Sequence, residues 1–225
     1  MKVGRIVLVG IFILIIGNSI SKAQDVKTFY TDNYQRAMRY NDRAEAKSAL
    51  YKLVALEPQN DSLLVNLAYM YLEVRQYASS VLICMDALAI NPENTGALEI
   101  IAVSYENLGL KDKALDNFEK LYLETDDFQT LYRMAFLQYD LEKYLQCSTN
   151  IDILMQAPEA AEATASYTFE EEEKEFSIKV PLINLKGLVN VAQGNNDLAK
   201  QNFEEALQLA PDFILAQQNL DDLNK

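Results

Sequence analysis

An internal repeat of 34 residues restricts this chain to very few folds. When residues 61–94 are aligned with residues 95–128, Ala68 falls on Ala102 and apolar residues recur at matching positions. A fixed period of this length is typical of stacked helical repeats, in which every repeat forms one supersecondary unit. We therefore expect similar units in which neighbours complete each other's core. The coinciding pairs include Leu64 with Leu98, Leu67 with Ile101, Ala68 with Ala102, Tyr71 with Tyr105, and Ala87 with Leu121.

Each unit contains two stretches in which apolar residues recur every three or four positions, the spacing of an amphipathic helix. In residues 61–94 the second stretch ends before Pro92, which lacks a backbone N–H and cannot continue a helix. A short turn separates the two stretches, and in the next unit that turn contains Gly109, which provides an easy helix stop. Each unit is thus predicted to be a helical hairpin.

The residues that recur in this way resemble the tetratricopeptide repeat. Ala68, Tyr71, Ala87 and Pro92 carry the resemblance in residues 61–94, and the following copies repeat the pattern in register. The tryptophan found early in the family's repeat is replaced by leucine here. The resemblance implies an all-α fold, a right-handed α-solenoid of about five helical hairpins with a C-terminal capping helix.

The pattern divides the chain into a leader, repeats, one insertion and a terminal helix. The first repeat is less regular, but Pro58 lies 34 residues before Pro92 and keeps it in register. The last repeat, aligned over residues 180–213, has Gly187 at the small position and Gly194 at the turn. The predicted segments are a leader at 1–23, an irregular repeat at 24–60, repeats at 61–94, 95–127, 128–159 and 178–211, an acidic insertion at 160–177, and a capping helix at 212–225.

The insertion between the fourth and fifth repeats has two interpretations. Apolar residues alternate on both sides of the acidic run at 170–173, at Tyr167 and Phe169 and again at Phe176 and Ile178, which predicts a small β-hairpin. Alternatively, residues rich in alanine and glutamate extend the preceding helix and the remainder is a loop. Insertions in repeat proteins are often binding sites, although a solvated acidic loop has the same composition.

The first 23 residues have the pattern of a secretory signal peptide. Lys2 and Arg5 precede an apolar run, and a polar tail with small residues ends at Ala23, where we expect cleavage. An uncleaved anchor helix is the alternative, and the short apolar run disfavours it. We therefore expect an exported protein, periplasmic or extracellular, with no transmembrane segment in the mature chain.

The composition argues against several classes of function. The net charge of −13 disfavours nucleic acid, because phosphate contacts need clustered lysine and arginine. Histidine, the commonest general base and metal ligand, is absent from the sequence. There is no glycine-rich phosphate loop or zinc spacing, and the acidic run at 170–173 lacks the pattern of a tight calcium site. We predict neither catalysis, nor a metal, nor a cofactor.

The two cysteines are predicted to be small core residues. Cys84 and Cys147 occupy second helices two repeats apart. Because neighbouring helices pack about 8–10 Å apart, these residues should exceed the ~7 Å Cα separation that a disulfide tolerates.

In the family that the chain resembles, first helices line a concave groove for a partner segment. Asn66 and Arg133 are the only residues suited to clamp a carboxylate there, and Glu99 lies between them in sequence, so a carboxylate clamp is disfavoured. A segment with aromatic or aliphatic anchors and some positive charge fits better. Alternatively, the aromatic residues only pack between repeats. The predicted partner-binding residues are Asn66, Tyr69, Glu99, Val103, Glu106, Tyr132, Arg133, Phe136 and Tyr139.

The sequence therefore predicts a noncatalytic scaffold that binds a protein or peptide in this groove. Two alternatives remain open: a structural subunit of a cell-envelope complex, and a regulatory chain of a separate enzyme.

Overall fold

The computed structural model describes residues 24–169 and 171–225. The predicted signal peptide lies outside the described residues, and so does Glu170. The chain forms two compact units that divide between Leu108 and Gly109.

The first unit consists of helices joined by short turns. Consecutive helices pack on each other, and the first helices of successive hairpins also lie side by side, since α3 contacts both α4 and α5. The helices are α1 at residues 24–39, α2 at Arg43–Leu56, α3 at Asp61–Glu73, α4 at Tyr77–Ile90 and α5 at Thr95–Asn107.

The second unit continues the same pattern and adds a hairpin of two strands. Helix α9 contacts α7, α8, α10 and α11, so first helices are again neighbours. The elements are α6 at Lys111–Thr125, α7 at Phe128–Asp140, α8 at Tyr144–Gln156, a 3-10 helix at Pro158–Ala161, β1 at Thr164–Phe169, β2 at Glu172–Ser177, α9 at Lys179–Ala192, α10 at Asn196–Leu209 and α11 at Ile214–Leu223.

Each of the helical hairpins at Arg75, Glu142 and Gly194 has one residue with a left-handed backbone conformation in its turn. Gly194 has a φ of 77°, and glycine adopts this conformation without strain. Arg75 and Glu142 adopt nearly the same angle, both with φ of 58°. The turn geometry therefore repeats even where the sequence offers no glycine, because the packed helices on both sides fix it.

Small residues allow close contact where the repeat pattern places them. Ala68 and Cys84 are fully buried in one cluster with Ile101 in the first unit. In the second unit a Cβ on Gly187 would lie only 2.7 Å from Cδ1 of Phe203, so the ring of α10 occupies the space that glycine leaves. The apolar positions of the repeat thus form the core, as predicted.

Both cysteines are buried and unpaired, as predicted. Burial raises the pKa of the Cys84 thiol and of the Cys147 thiol to about 12. Both thiols are therefore neutral at physiological pH and behave as small apolar residues.

The insertion forms an antiparallel β-hairpin, which confirms that prediction; the alternative, an extended helix, is wrong. Helix α8 ends at Gln156, and strand pairing places Tyr167 opposite Lys174 and Ala165 opposite Phe176. Side chains alternate along a strand, so Tyr167 and Phe169 share one face of the hairpin. This face packs against the helices. Phe213, which caps α11, lies with its ring centroid 5.0 Å from that of Phe176 and 5.3 Å from that of Tyr167.

Helix α11 ends the second unit as an amphipathic cap. Phe213 and Ala216 are fully buried, whereas Gln217 and Asp221 are exposed. The structure is therefore all-α apart from this single hairpin among the described residues, and the predicted fold class is confirmed.

Candidate partner-binding surfaces

All nine residues predicted to bind a partner lie on first helices. Helix α3 carries two of them, α5 carries three and α7 carries four. The set divides between the two units, with five residues in the first and four in the second. The exposed residues are Asn66, Tyr69, Glu99 and Arg133, and the half-buried ones are Val103, Glu106, Tyr132, Phe136 and Tyr139.

In the first unit, Tyr69 presents an aromatic ring to solvent from the middle of α3. Half of Tyr69 is exposed, although Ala68 and Met70 on either side are buried. Asn66 lies one turn earlier on the same exposed face, because residues three apart are neighbours on a helix. Helix α5 lies against α3, and Glu99 is exposed on α5. This surface offers an aromatic anchor next to polar groups.

In the second unit, the aromatic residues of α7 contact each other and the surrounding elements. The ring centroids of Tyr132 and Phe136 are 4.9 Å apart. The ring centroids of Tyr139 and Tyr144 are 6.0 Å apart, so Tyr139 packs against α8, the second helix of the same helical hairpin. The guanidinium carbon of Arg133 is 5.6 Å from the centre of the Phe118 ring, within range of a cation–π contact.

A cleft of about 380 Å³ separates the start of α7 from strand β1, and we call it the α7–β1 cleft. Its volume falls within the range of ligand-binding pockets. Tyr132 and Tyr167 line it, with their hydroxyl oxygens 3.3 Å apart. Burial raises the pKa of both phenols, so both remain neutral at physiological pH. The lining residues are Gln129, Tyr132, Arg133, Thr164, Ala165, Ser166, Tyr167 and Ile178.

None of the residues predicted to bind a partner lies on β1, although β1 lines the α7–β1 cleft. The alternating apolar residues of the insertion predict a strand. Nothing in the sequence, however, indicates that this strand lies beside α7. The structure brings Tyr132 of α7 to Tyr167 of β1, residues that are 35 apart in sequence.

The surfaces have the chemistry of polypeptide recognition. They combine exposed or half-buried aromatic rings with amide, carboxylate and hydroxyl groups. No cluster of three histidine, cysteine or carboxylate side chains suited to a metal occurs in the part of the chain that the structure describes. Within the same residues, none of the helices is both long and apolar enough to cross a bilayer.

Stacked helical hairpins that expose side chains from their first helices define a helical repeat protein. Residues 180–213 match the tetratricopeptide repeat family, over the same residues that align as the last repeat. A comparison with curated proteins finds no match.

Solved structures with the same fold include MamA and two tetratricopeptide repeat proteins. MamA has a TM-score of 0.64 and 14% identity, covering 81% of this chain and 91% of its own. A tetratricopeptide repeat protein from Parabacteroides merdae has a TM-score of 0.67 and 19% identity over 88% and 72%. YrrB, a TPR protein with an unusual peptide-binding site, has a TM-score of 0.68 and 12% identity over 84% and 89%. The chain contains a tetratricopeptide repeat and has the fold of tetratricopeptide repeat proteins.

Proposed function

We propose that this protein is a noncatalytic scaffold that binds a segment of a partner protein on the exposed faces of its first helices. The observation that carries this proposal is Tyr69, which is half exposed in the middle of a helix whose flanking residues are buried. An aromatic side chain gives large contact area for little loss of conformational entropy. The existence of a peptide-binding site in YrrB, which has the same fold, supports the proposal.

The chemistry of the surface selects the kind of segment. Tyr69 in the first unit and the pair Tyr132 and Phe136 in the second favour apolar anchors on the partner. Glu99 is exposed on α5, the helix that packs against α3, and the net charge is −13. Basic residues beside the anchors would therefore strengthen binding and accelerate association.

The test is to replace Tyr69 and Phe136 with alanine after chemical crosslinking in the native cells has identified a partner. We expect Tyr69→Ala with Phe136→Ala to weaken the purified complex by tenfold or more, because each removes an anchor worth about 1–2 kcal/mol. Leu82→Ala with Leu145→Ala is the matched control, since both leucines are highly exposed on second helices. Far-ultraviolet circular dichroism should be the same for all variants.

The control also tests the second candidate, a structural subunit of a cell-envelope complex. Leu82 is 64% exposed and Met85 is 52% exposed on α4, together with Ala78 and Ala89 at helical spacing. If the leucine variants lose the partner and the aromatic variants keep it, the second helices make the contact and the proposal is wrong.

We also propose that the protein is exported and that its mature chain begins at Gln24. The support is the charged start, apolar run and small residues of the first 23 positions. Cleavage would remove Lys2, Arg5 and Lys22 and change the net charge from −13 to −16. N-terminal sequencing of the native protein should give Gln24 first; an intact Met1 would refute export by this route.

A further inference from the structure

We propose that the free edge of β1 pairs with an extended segment of a partner, which adds a third strand to the hairpin inside the α7–β1 cleft. This inference goes beyond the proposed function, because the contact is made by the backbone of the insertion rather than by side chains of the first helices. The two surfaces can therefore be tested independently.

The register of the hairpin identifies the backbone groups that face the cleft. Phe169 pairs with Glu172, and Ile178 donates its N–H to the carbonyl of Ala163 over 2.9 Å. In an antiparallel pair the hydrogen-bonded positions alternate. Residues 163, 165, 167 and 169 therefore bond to β2. The N–H and C=O groups of Thr164, Ser166 and Thr168 point the other way.

These groups have no strand beside them among the described residues. The sheet consists of β1 and β2 alone. Four consecutive residues, 164–167, line the cleft. Consecutive residues on a strand share an edge but not a face, so the cleft opens on the backbone edge of β1. Gln129, Tyr132 and Arg133 of α7 form the opposite side.

The two edges of the hairpin are protected to different degrees. Strand β2 carries four consecutive charged residues at 172–175, which discourage pairing with another strand. Strand β1 has the sequence Thr-Ala-Ser-Tyr-Thr-Phe, with no charge, proline or glycine. Threonine, tyrosine and phenylalanine favour strands. An edge of this kind, open beside a cleft, is a template for a further strand.

The side chains around the edge specify the occupant. One face of an added strand would meet Tyr132, Ala165 and Tyr167, which favours apolar residues at alternate positions. The other face would lie beside Ser166 and close to Glu175, its partner on β2, which favours polar or basic residues. The occupant is a partner segment of about six residues that alternates apolar with polar or basic side chains. A second copy of the chain fits less well because it brings another acidic hairpin.

The experiment uses a capped synthetic peptide, acetyl-Lys-Val-Thr-Val-Thr-Val-Lys-amide, and the full chain. Amide hydrogen exchange measured by NMR should slow at residues 164, 166 and 168 when the peptide is added. Ser166→Pro removes one outward donor and leaves the bonds to β2 intact, because proline is tolerated where the N–H faces away from the ladder. We expect it to weaken peptide binding about tenfold.

Three further variants make the outcome decisive. Ser166→Ala keeps the donor and should bind the peptide as the natural chain does. Thr164→Pro removes another outward N–H, at the first position of the strand, and should also weaken binding. It tests the proposal independently if Ser166→Pro disturbs the hairpin. Tyr69→Ala should leave the slowing of exchange at residues 164, 166 and 168 unchanged, which separates this site from the first-helix surface that carries Asn66 and Tyr69.

Three results would overturn the proposal: no slowing at any of the three amides, peptide binding by both proline variants that is as tight as binding by the natural chain, or a dimer in analytical ultracentrifugation that Ser166→Pro abolishes. The last result would place a second copy of the chain on the edge.

Discussion

At the scale of single residues, Gly187 shows how the repeat depends on a missing side chain. Alanine at this position would place Cβ 2.7 Å from Cδ1 and 3.0 Å from Cζ of the buried Phe203 ring, so a helix or the ring must shift. We expect Gly187→Ala to destabilise the protein by about 1–3 kcal/mol, despite the better helix propensity of alanine. Urea denaturation measures the change.

Gly96→Ala is the matched control for this prediction. Its Cβ would meet one methyl group of the half-buried Val65 at 3.2 Å, a milder contact than that with the buried ring, so we expect a change below about 1 kcal/mol. Equal stability of Gly187→Ala and the natural chain would contradict the close contact between α9 and α10.

The two thiols give a second prediction, which includes a pH dependence. Burial raises the pKa of Cys84 and Cys147 from 9.0 to about 12. The folded chain should therefore resist iodoacetamide at pH 8, whereas both thiols react in denaturant. Because the unfolded thiols ionise first, stability should be lost as pH rises from 9 to 12, and Cys84→Ala with Cys147→Ala should reduce that loss. Rapid labelling of the native protein at pH 8 would refute the buried positions.

At the scale of elements, Phe213 connects the inserted hairpin to the terminal helix. Its ring is fully buried and contacts Tyr167 and Phe176. We expect Phe213→Ala to cost about 3–5 kcal/mol and to increase amide exchange throughout β1 and β2. Phe29→Ala, at an exposed phenylalanine of the first unit, is the control and should change little. A hairpin that stays protected without Phe213 would show that the strands are stable alone.

The elements also show how far the sequence determines the structure. The repeat period was sufficient to predict the helical hairpins, and alternating residues around Phe169 and Phe176 were sufficient to predict the strands. The placement of β1 beside α7 could not be predicted, because it depends on ring packing between residues far apart in sequence. Similarly, helical spacing placed Tyr69 and Tyr139 on equivalent faces, but only the structure places Tyr139 against Tyr144.

At the scale of the whole molecule, the acidic charge should influence every association. If the partner segment is basic, its affinity for this protein should fall as salt rises, because screening weakens attraction between exposed charges. Glu99→Gln should weaken binding by less than about fivefold and reduce the salt dependence, as expected for an exposed charge. Glu119→Gln, exposed on the second helix α6, is the control. Affinity that is independent of salt would exclude a charged segment.

The most direct test of the central claim is site-specific photo-crosslinking in cells that contain the native partner. A benzophenone amino acid at position 69 reports on the first-helix surface, and the same probe at position 82 reports on the exposed surface of α4. A scaffold that binds through its first helices should crosslink one defined partner segment from position 69 and not from position 82. Crosslinks from position 82 alone would contradict it.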